Sequence, residues 1–112
     1  MPLKIRMKKV KSIPVVEVEG RATDLDVKRF SKKLQDLYKK GDPRIVVDLS
    51  KTKFVDSHGL GIIVYYNTLL QKQGRQLVVL NGNPDDHNYV RRLFELTNLD
   101  KVMRTIGSIS EL

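Results

Sequence analysis

Hydrophobic and cationic positions alternate from the first residues: Leu3, Ile5 and Met7 against Lys4, Arg6 and Lys8. A period of two predicts a half-exposed strand with a cationic outer face. Lysines on that face discourage pairing with the edge of another sheet. A looser alternation over 13–19 sets Val16 and Val18 opposite Val15, Glu17 and Glu19. With Lys11 and Ser12 between the runs, the pattern predicts an antiparallel hairpin, Pro14 lying near the start of its second strand. Gly20 is expected to break that strand. The period then changes to that of a helix, with Val27, Phe30, Leu34, Leu37 and Tyr38 on one stripe and Lys28, Arg29, Lys32, Lys33, Lys39 and Lys40 elsewhere. Thr23 and Asp26 have capping-box spacing, with Asp in place of the preferred Glu, and Gly41 with Pro43 ends the helix.

Ile45, Val46 and Val47 are continuously apolar, which suits a strand buried on both faces. The polar stretch 48–53 predicts a chain reversal, after which Phe54 and Val55 return to the core. Ser57 stands where a helix begins, and a serine there can accept a hydrogen bond from a first-turn N–H as an N-cap. Leu60, Ile63, Val64, Leu69 and Leu70 follow at mostly helical spacing, widened by Ile62 and Tyr66, and predict a largely buried helix ended by Gly74 in a left-handed cap. Residues 76–80 read as the next strand. Beyond it, Asn83 is a candidate N-cap, Pro84 suits the first helical position, and Asp85 with Asp86 favours the positive end of the helix dipole. Val90, Leu93, Phe94 and Leu96 carry that helix's stripe, Val102–Ile106 is the last predicted strand, and Ser108–Leu112 starts a short helix.

The predicted order is β-β-α-β-α-β-α-β. Alternation of this kind implies an α/β fold with a largely parallel sheet and right-handed crossovers. At 112 residues, without repeats or a low-complexity linker, residues 1–112 are expected to form one domain.

The octapeptide Phe54-Val55-Asp56-Ser57-His58-Gly59-Leu60-Gly61, preceded by Val47-Asp48-Leu49-Ser50, resembles the signature of the STAS domain, the fold of bacterial anti-sigma factor antagonists. In that family an aspartate precedes a phosphorylatable serine or threonine, then a small residue, a glycine and an aliphatic, at the start of the second helix. The resemblance implies a mixed, mostly parallel sheet with an N-terminal antiparallel hairpin and βα crossovers. It further implies phosphorylation at Ser57 and a partner-binding surface of Asp56, Ser57, His58, Gly59 and Leu60. The partners it implies are an anti-sigma factor that is a serine-protein kinase, and a phosphatase that resets the switch. His58 departs from the small hydroxyl residue more usual there. A second aspartate that family members often carry in a Gly-x-x-Asp pattern falls at Thr23 in this register, with Asp24 one step later, so Thr23 and Asp24 join the candidate partner-binding residues.

Composition narrows the function classes. Cysteine is absent, which excludes disulfides and thiolate metal sites and fits a reducing cytosol. No apolar run approaches the roughly 18 residues of a membrane span, and the N-terminus lacks an apolar signal core, so a soluble cytoplasmic protein is expected, without a membrane partner. The net charge of +8 invites a nucleic-acid reading. Residues 1–43 hold 12 Lys and Arg against 6 Asp and Glu, whereas 44–112 hold 9 against 7, so most of the basicity lies away from the signature. Without arginine–aromatic interleaving or helix-turn-helix spacing, no direct DNA binding is expected; the lysine-rich first helix reads first as a solvated face, and as an electrostatic surface it suits an acidic protein better than DNA.

Consecutive Asp56, Ser57 and His58 raise a hydrolase reading, which fails because neighbouring side chains in a turn diverge and Val55 replaces the first glycine of a nucleophile elbow. His87 takes no role. No catalytic residue, cofactor, nucleotide loop or metal site is expected, and a monomer or weak dimer is. Gly59 and Gly61 each cost a helix roughly 0.5 to 1 kcal/mol relative to alanine, which calls for a close approach there by the sheet or by a docked protein. The alternative to the phosphorylation switch is a STAS-like scaffold or ligand-binding module in which Ser57 is only a helix cap.

Overall fold

The computed structural model describes residues 3–22, 24–85 and 88–112. Thr23, Asp86 and His87, with the expectations placed on them, lie outside the described residues. Five strands form one sheet in the order β1-β2-β3-β4-β5. They are β1 (Lys4–Val10), β2 (Ile13–Ala22), β3 (Arg44–Val55), β4 (Gln76–Leu80) and β5 (Arg104–Ile106), interleaved with helices α1 (Asp24–Lys40), α2 (Ser57–Lys72) and α3 (Tyr89–Leu96). β1 and β2 are antiparallel, and the other neighbours are parallel. The expected element order and mixed sheet are present.

Lys11 and Ser12, both at positive φ, close the hairpin in two residues and join paired Val10 and Ile13. That backbone matches the right-handed twist of the strands it links. Gly20 does not end β2: at φ 101° it sits beside a register shift, and the strand runs on to Ala22. The expected reversal over 48–53 is also absent, because β3 is a single 12-residue strand. Its polar stretch is absorbed by irregularities, Glu17 pairing with Asp48 but Glu19 with Lys51, and Gly20 with Thr52 but Arg21 with Phe54. Each shift places one extra residue on β3, as a β-bulge does. The polar side chains there find partners inside the fold: Thr52 Oγ1 donates to the Val18 carbonyl at 2.8 Å, and Asp48 Oδ1 accepts from the Ser50 amide at 2.9 Å.

Three expectations near the C-terminus are corrected. Asn83 is not a helix cap; its Oδ1 accepts from the Asp85 amide, and Pro84 lies in a loop. α3 begins at Tyr89, capped by buried Asn88, which exchanges two side-chain amide hydrogen bonds of 3.0 Å with Asn81. Leu96 is 79% exposed, outside the stripe. Val102 is 55% exposed, and the strand expected at 102–106 is confined to Arg104–Ile106, with buried Met103 before it.

All three helices contribute to one core cluster, where Phe30, Leu34 and Leu37 of α1, Ile63, Tyr66 and Leu70 of α2, and Val90 and Phe94 of α3 meet Val16, Val18, Val47, Leu77 and Val79 of the sheet. On the other side of the sheet Ile13, Val15, Val46, Val78, Leu80 and Ile106 form a second cluster, against which Val10, Ile109 and Leu112 pack. Ile109 belongs to a 3-10 turn, Ile109–Glu111, the short helix expected at the C-terminus. Among the described residues no helix is long and apolar enough to cross a membrane.

Candidate functional site

The parallel pair β2–β3 ends level, with Ala22 opposite Val55. Two residues beyond each partner a helix begins, α1 at Asp24 and α2 at Ser57. The two candidate segments, 33 residues apart in sequence, therefore open side by side at one end of the two central strands. The Asp56 amide donates to the Ala22 carbonyl at 3.2 Å and ties the strand ends together.

The cap of α2 differs from expectation. Asp56, in extended backbone, is the N-cap: its Oδ1 accepts from the Gly59 amide at 2.8 Å, and its carbonyl accepts from the Leu60 amide at 3.0 Å. Ser57 is the first helical residue, exposed, and has no part in the cap. An acidic side chain at this position satisfies an orphan N–H and also faces the positive end of the helix dipole. His58 is exposed, Gly59 is buried, and Leu60 is half-buried against the core.

The two glycines have separate explanations. A methyl group on Gly59 would stand 3.1 Å from Val55 Cγ1 and 3.7 Å from Ala22 Cβ, so the helix approaches the strand ends closely there. A methyl group on Gly61 would meet nothing within 4 Å beyond its chain neighbours and the backbone of its own helix. That position is exposed one helical turn after Ser57, and the same face continues to Tyr65, 57% exposed, and to Thr68. The expected largely buried α2 thus has one open face, and Ser57 stands at its head.

A cluster beside the site has no motif to announce it. Arg21 and Phe54 are paired across β2 and β3, with the guanidinium carbon 4.6 Å from the ring centre. Tyr89, at the start of α3, stacks on Phe54 at 5.7 Å and 24° and donates its hydroxyl to the Val55 carbonyl at 3.1 Å. These three residues are 33 to 68 positions apart, and only the parallel register with its bulges brings them together. Nothing in the sequence joins Arg21 or Tyr89 to the signature, and Phe54, which lies in it, reads there only as a core residue.

Titration is perturbed away from this end of the sheet. Glu17, nearly buried on β2, has its carboxyl held below the ordinary value of 4.5, chiefly by a hydrogen bond from Lys8, then against the cost of burial by the charges of Lys8, Lys51 and Arg6. Burial pushes the Tyr66 hydroxyl up. Among the described residues no group of three or more His, Cys, Asp or Glu is arranged to hold a metal ion.

An exposed hydroxyl on the first residue of a helix, beside a carboxylate already committed to capping, suits modification by an external enzyme. A family profile described as "Mlab, STAS domain" matches residues 5–106. The chain belongs to the STAS domain family. It is 27% identical over its whole length, and over 97% of the relative, to a Paenibacillus polymyxa protein named anti-sigma F factor antagonist. Its fold matches the crystal structure of an anti-sigma factor antagonist from Mycobacterium paratuberculosis with a TM-score of 0.83, at 23% identity over 98% of this chain and 90% of the other. It also matches the Bacillus cell fate determinant SpoIIAA in its phosphorylated form with a TM-score of 0.70, at 17% identity over 96% of this chain and 95% of the other.

Proposed function

We propose that this STAS domain is an anti-sigma factor antagonist switched by phosphorylation of Ser57. Unphosphorylated, it binds an anti-sigma factor that is a serine-protein kinase, through Asp56, Ser57, His58, Gly59, Leu60, Thr23 and Asp24. That binding frees a sigma factor. The kinase transfers the γ-phosphoryl group of ATP to Ser57 Oγ with loss of the hydroxyl proton, the complex separates, and a phosphatase hydrolyses the ester. The chain itself catalyses nothing; it acts in the cytoplasm as a monomer or weak dimer and needs no DNA contact of its own.

The observation that carries this reading is the division of labour at the helix start. Asp56 supplies the cap, and Ser57 stands exposed at the head of an open helix face. A phosphoryl group there adds roughly −1.5 to −2 charge at a helix N-terminus, which favours anions, so the fold survives it. Next to Asp56 it makes a concentrated anionic patch, which repels the partner that fitted the neutral hydroxyl.

Intact-mass analysis with fragment localisation, on protein from growing and stressed cells, tests this. The expected result is a species heavier by one phosphoryl group, mapped to Ser57 and varying with stress. Ser57→Ala is expected to bind the kinase constitutively and Ser57→Asp to bind it weakly; equal affinities would remove the charge mechanism.

One observation favours the second reading, a ligand-binding module. A groove of about 330 Å³ between α3 and β5 has Val79, Val90, Phe94 and Ile106 for its apolar lining and Asn81 and Thr105 among its polar groups. A small molecule co-purifying with the chain, with Ser57 never modified, would favour it.

A further inference from the structure

From the charge and shape of the cleft beside Ser57, we infer that the groove between α1 and α2 is the seat of an acidic, partly apolar segment of the protein partner. The inference rests on the reading above and adds to it the chemistry by which that partner is chosen.

α1 carries six basic residues against three acidic ones. Two of the six, Lys28 and Lys32, stand exposed along a groove of about 340 Å³ that α1 forms with α2. Its apolar lining is Val27, buried, and Ile62, half-buried. Ser31 and Gln35 add hydrogen-bonding groups, and His58, next to Ser57, lines the α2 side. Lys32 already shares its charge with Asp36 at 3.3 Å, but both partners of that pair are well exposed, and such pairs contribute little. The occupant this chemistry selects has carboxylates for the lysines and an aliphatic side chain for half-buried Ile62, since Val27, 1% exposed, offers little free surface. Nucleic acid fits poorly, because no aromatic ring in the lining offers a base a platform to stack on.

The groove also gives phosphorylation a means of acting on it. Ser57 precedes Ile62 by five residues, about 7.5 Å along a helix axis, which is inside the roughly 10 Å screening length at 0.1 M salt. A phosphoryl group on Ser57 would repel the carboxylates of the occupant and compete for the same lysines. Charge at the helix start and charge in the groove then act as one switch.

The test is a titration of the whole, isotopically labelled chain with a blocked twelve-residue peptide of alternating Glu and Leu, followed by amide NMR shifts at low salt. Saturable shifts at Val27, Ser31, Gln35 and Ile62 are expected. They should weaken about tenfold in Lys28→Glu/Lys32→Glu, less in Lys28→Gln/Lys32→Gln, and severalfold in Ser57→Asp. Replacing Glu by Gln in the peptide should abolish them. Shifts spread evenly over the Lys4 and Lys8 face, or a double variant that binds as the parent does, would overturn the inference. The kinase that modifies Ser57 should lose affinity for the double variant by a similar factor; unchanged affinity would also overturn it. The peptide titration needs no kinase, so a chain never phosphorylated would lose the switch and keep the groove, whereas a chain phosphorylated at Ser57 with an inert groove would do the reverse.

Discussion

Asp56 and Ser57 are adjacent and polar, yet the backbone gives them different tasks. Asp56 is the last extended residue before α2, so its carboxylate can turn back to the Gly59 amide, whereas Ser57 already has helical geometry and projects from the first turn. Stability measurements separate the two. Asp56→Ala is expected to cost about 0.5–2 kcal/mol in urea denaturation, the range for losing an N-cap. Ser57→Ala should stay within about 0.5 kcal/mol of the parent, as exposed substitutions usually do, while removing the hydroxyl at which phosphorylation is proposed. The motif that contains both residues was legible in the sequence. The assignment of the cap was not, because serine and aspartate are equally good caps and only the φ and ψ of each position decide which one serves.

Among the elements, the hairpin β1–β2 shows how local charge is disposed of. Glu17 sits among Arg6 at 3.8 Å, Lys8 at 3.2 Å and Lys51 at 3.7 Å, so part of the chain's positive excess is spent on holding one nearly buried carboxylate. A carboxyl depressed in the folded state contributes stability at pH values above its unfolded value near 4.5, and the contribution fades as pH falls through the lower folded value. Glu17→Gln is therefore expected to be less stable than the parent at pH 7, with the gap closing as urea unfolding is followed down below pH 4.5. The three cations are each about half exposed, so added salt should shrink the gap as well. The alternation of charge on β1 was readable in the sequence, but Lys51 was not, since it joins Glu17 only through the shifted pairing of β2 with β3. The same bulges explain why the polar run 48–53 looked like a turn. Period-two reasoning has no term for a strand that spends extra residues without leaving the sheet.

At the scale of the whole molecule, the sheet separates two apolar clusters that are covered in different ways. Helices cover one, and the C-terminal 3-10 turn, with Ile109 and Leu112, packs on the other. That turn is held by the Glu111 carboxylate, which accepts from the amides of Gly107 at 2.7 Å and Ser108 at 2.9 Å. Ile109→Ala should cost about 1–2 kcal/mol by thermal or urea unfolding, less than a fully buried isoleucine because Ile109 is only half covered. The sequence by itself determined the element order, the hairpin, the amphipathic faces and the Asp56-Ser57 signature, because periodicity and turn chemistry act over a few residues and leave their mark in the string. Tertiary structure alone decided that β3 runs straight through its polar stretch and that Asp56 caps α2 in place of Ser57. It also decided that Arg21, Phe54 and Tyr89 stack, and that lysines of α1 share a groove with His58. Each of these depends on strand register and helix placement, which set residues side by side that the chain itself keeps about thirty or more positions apart, or on backbone angles that the packed sheet and helices select.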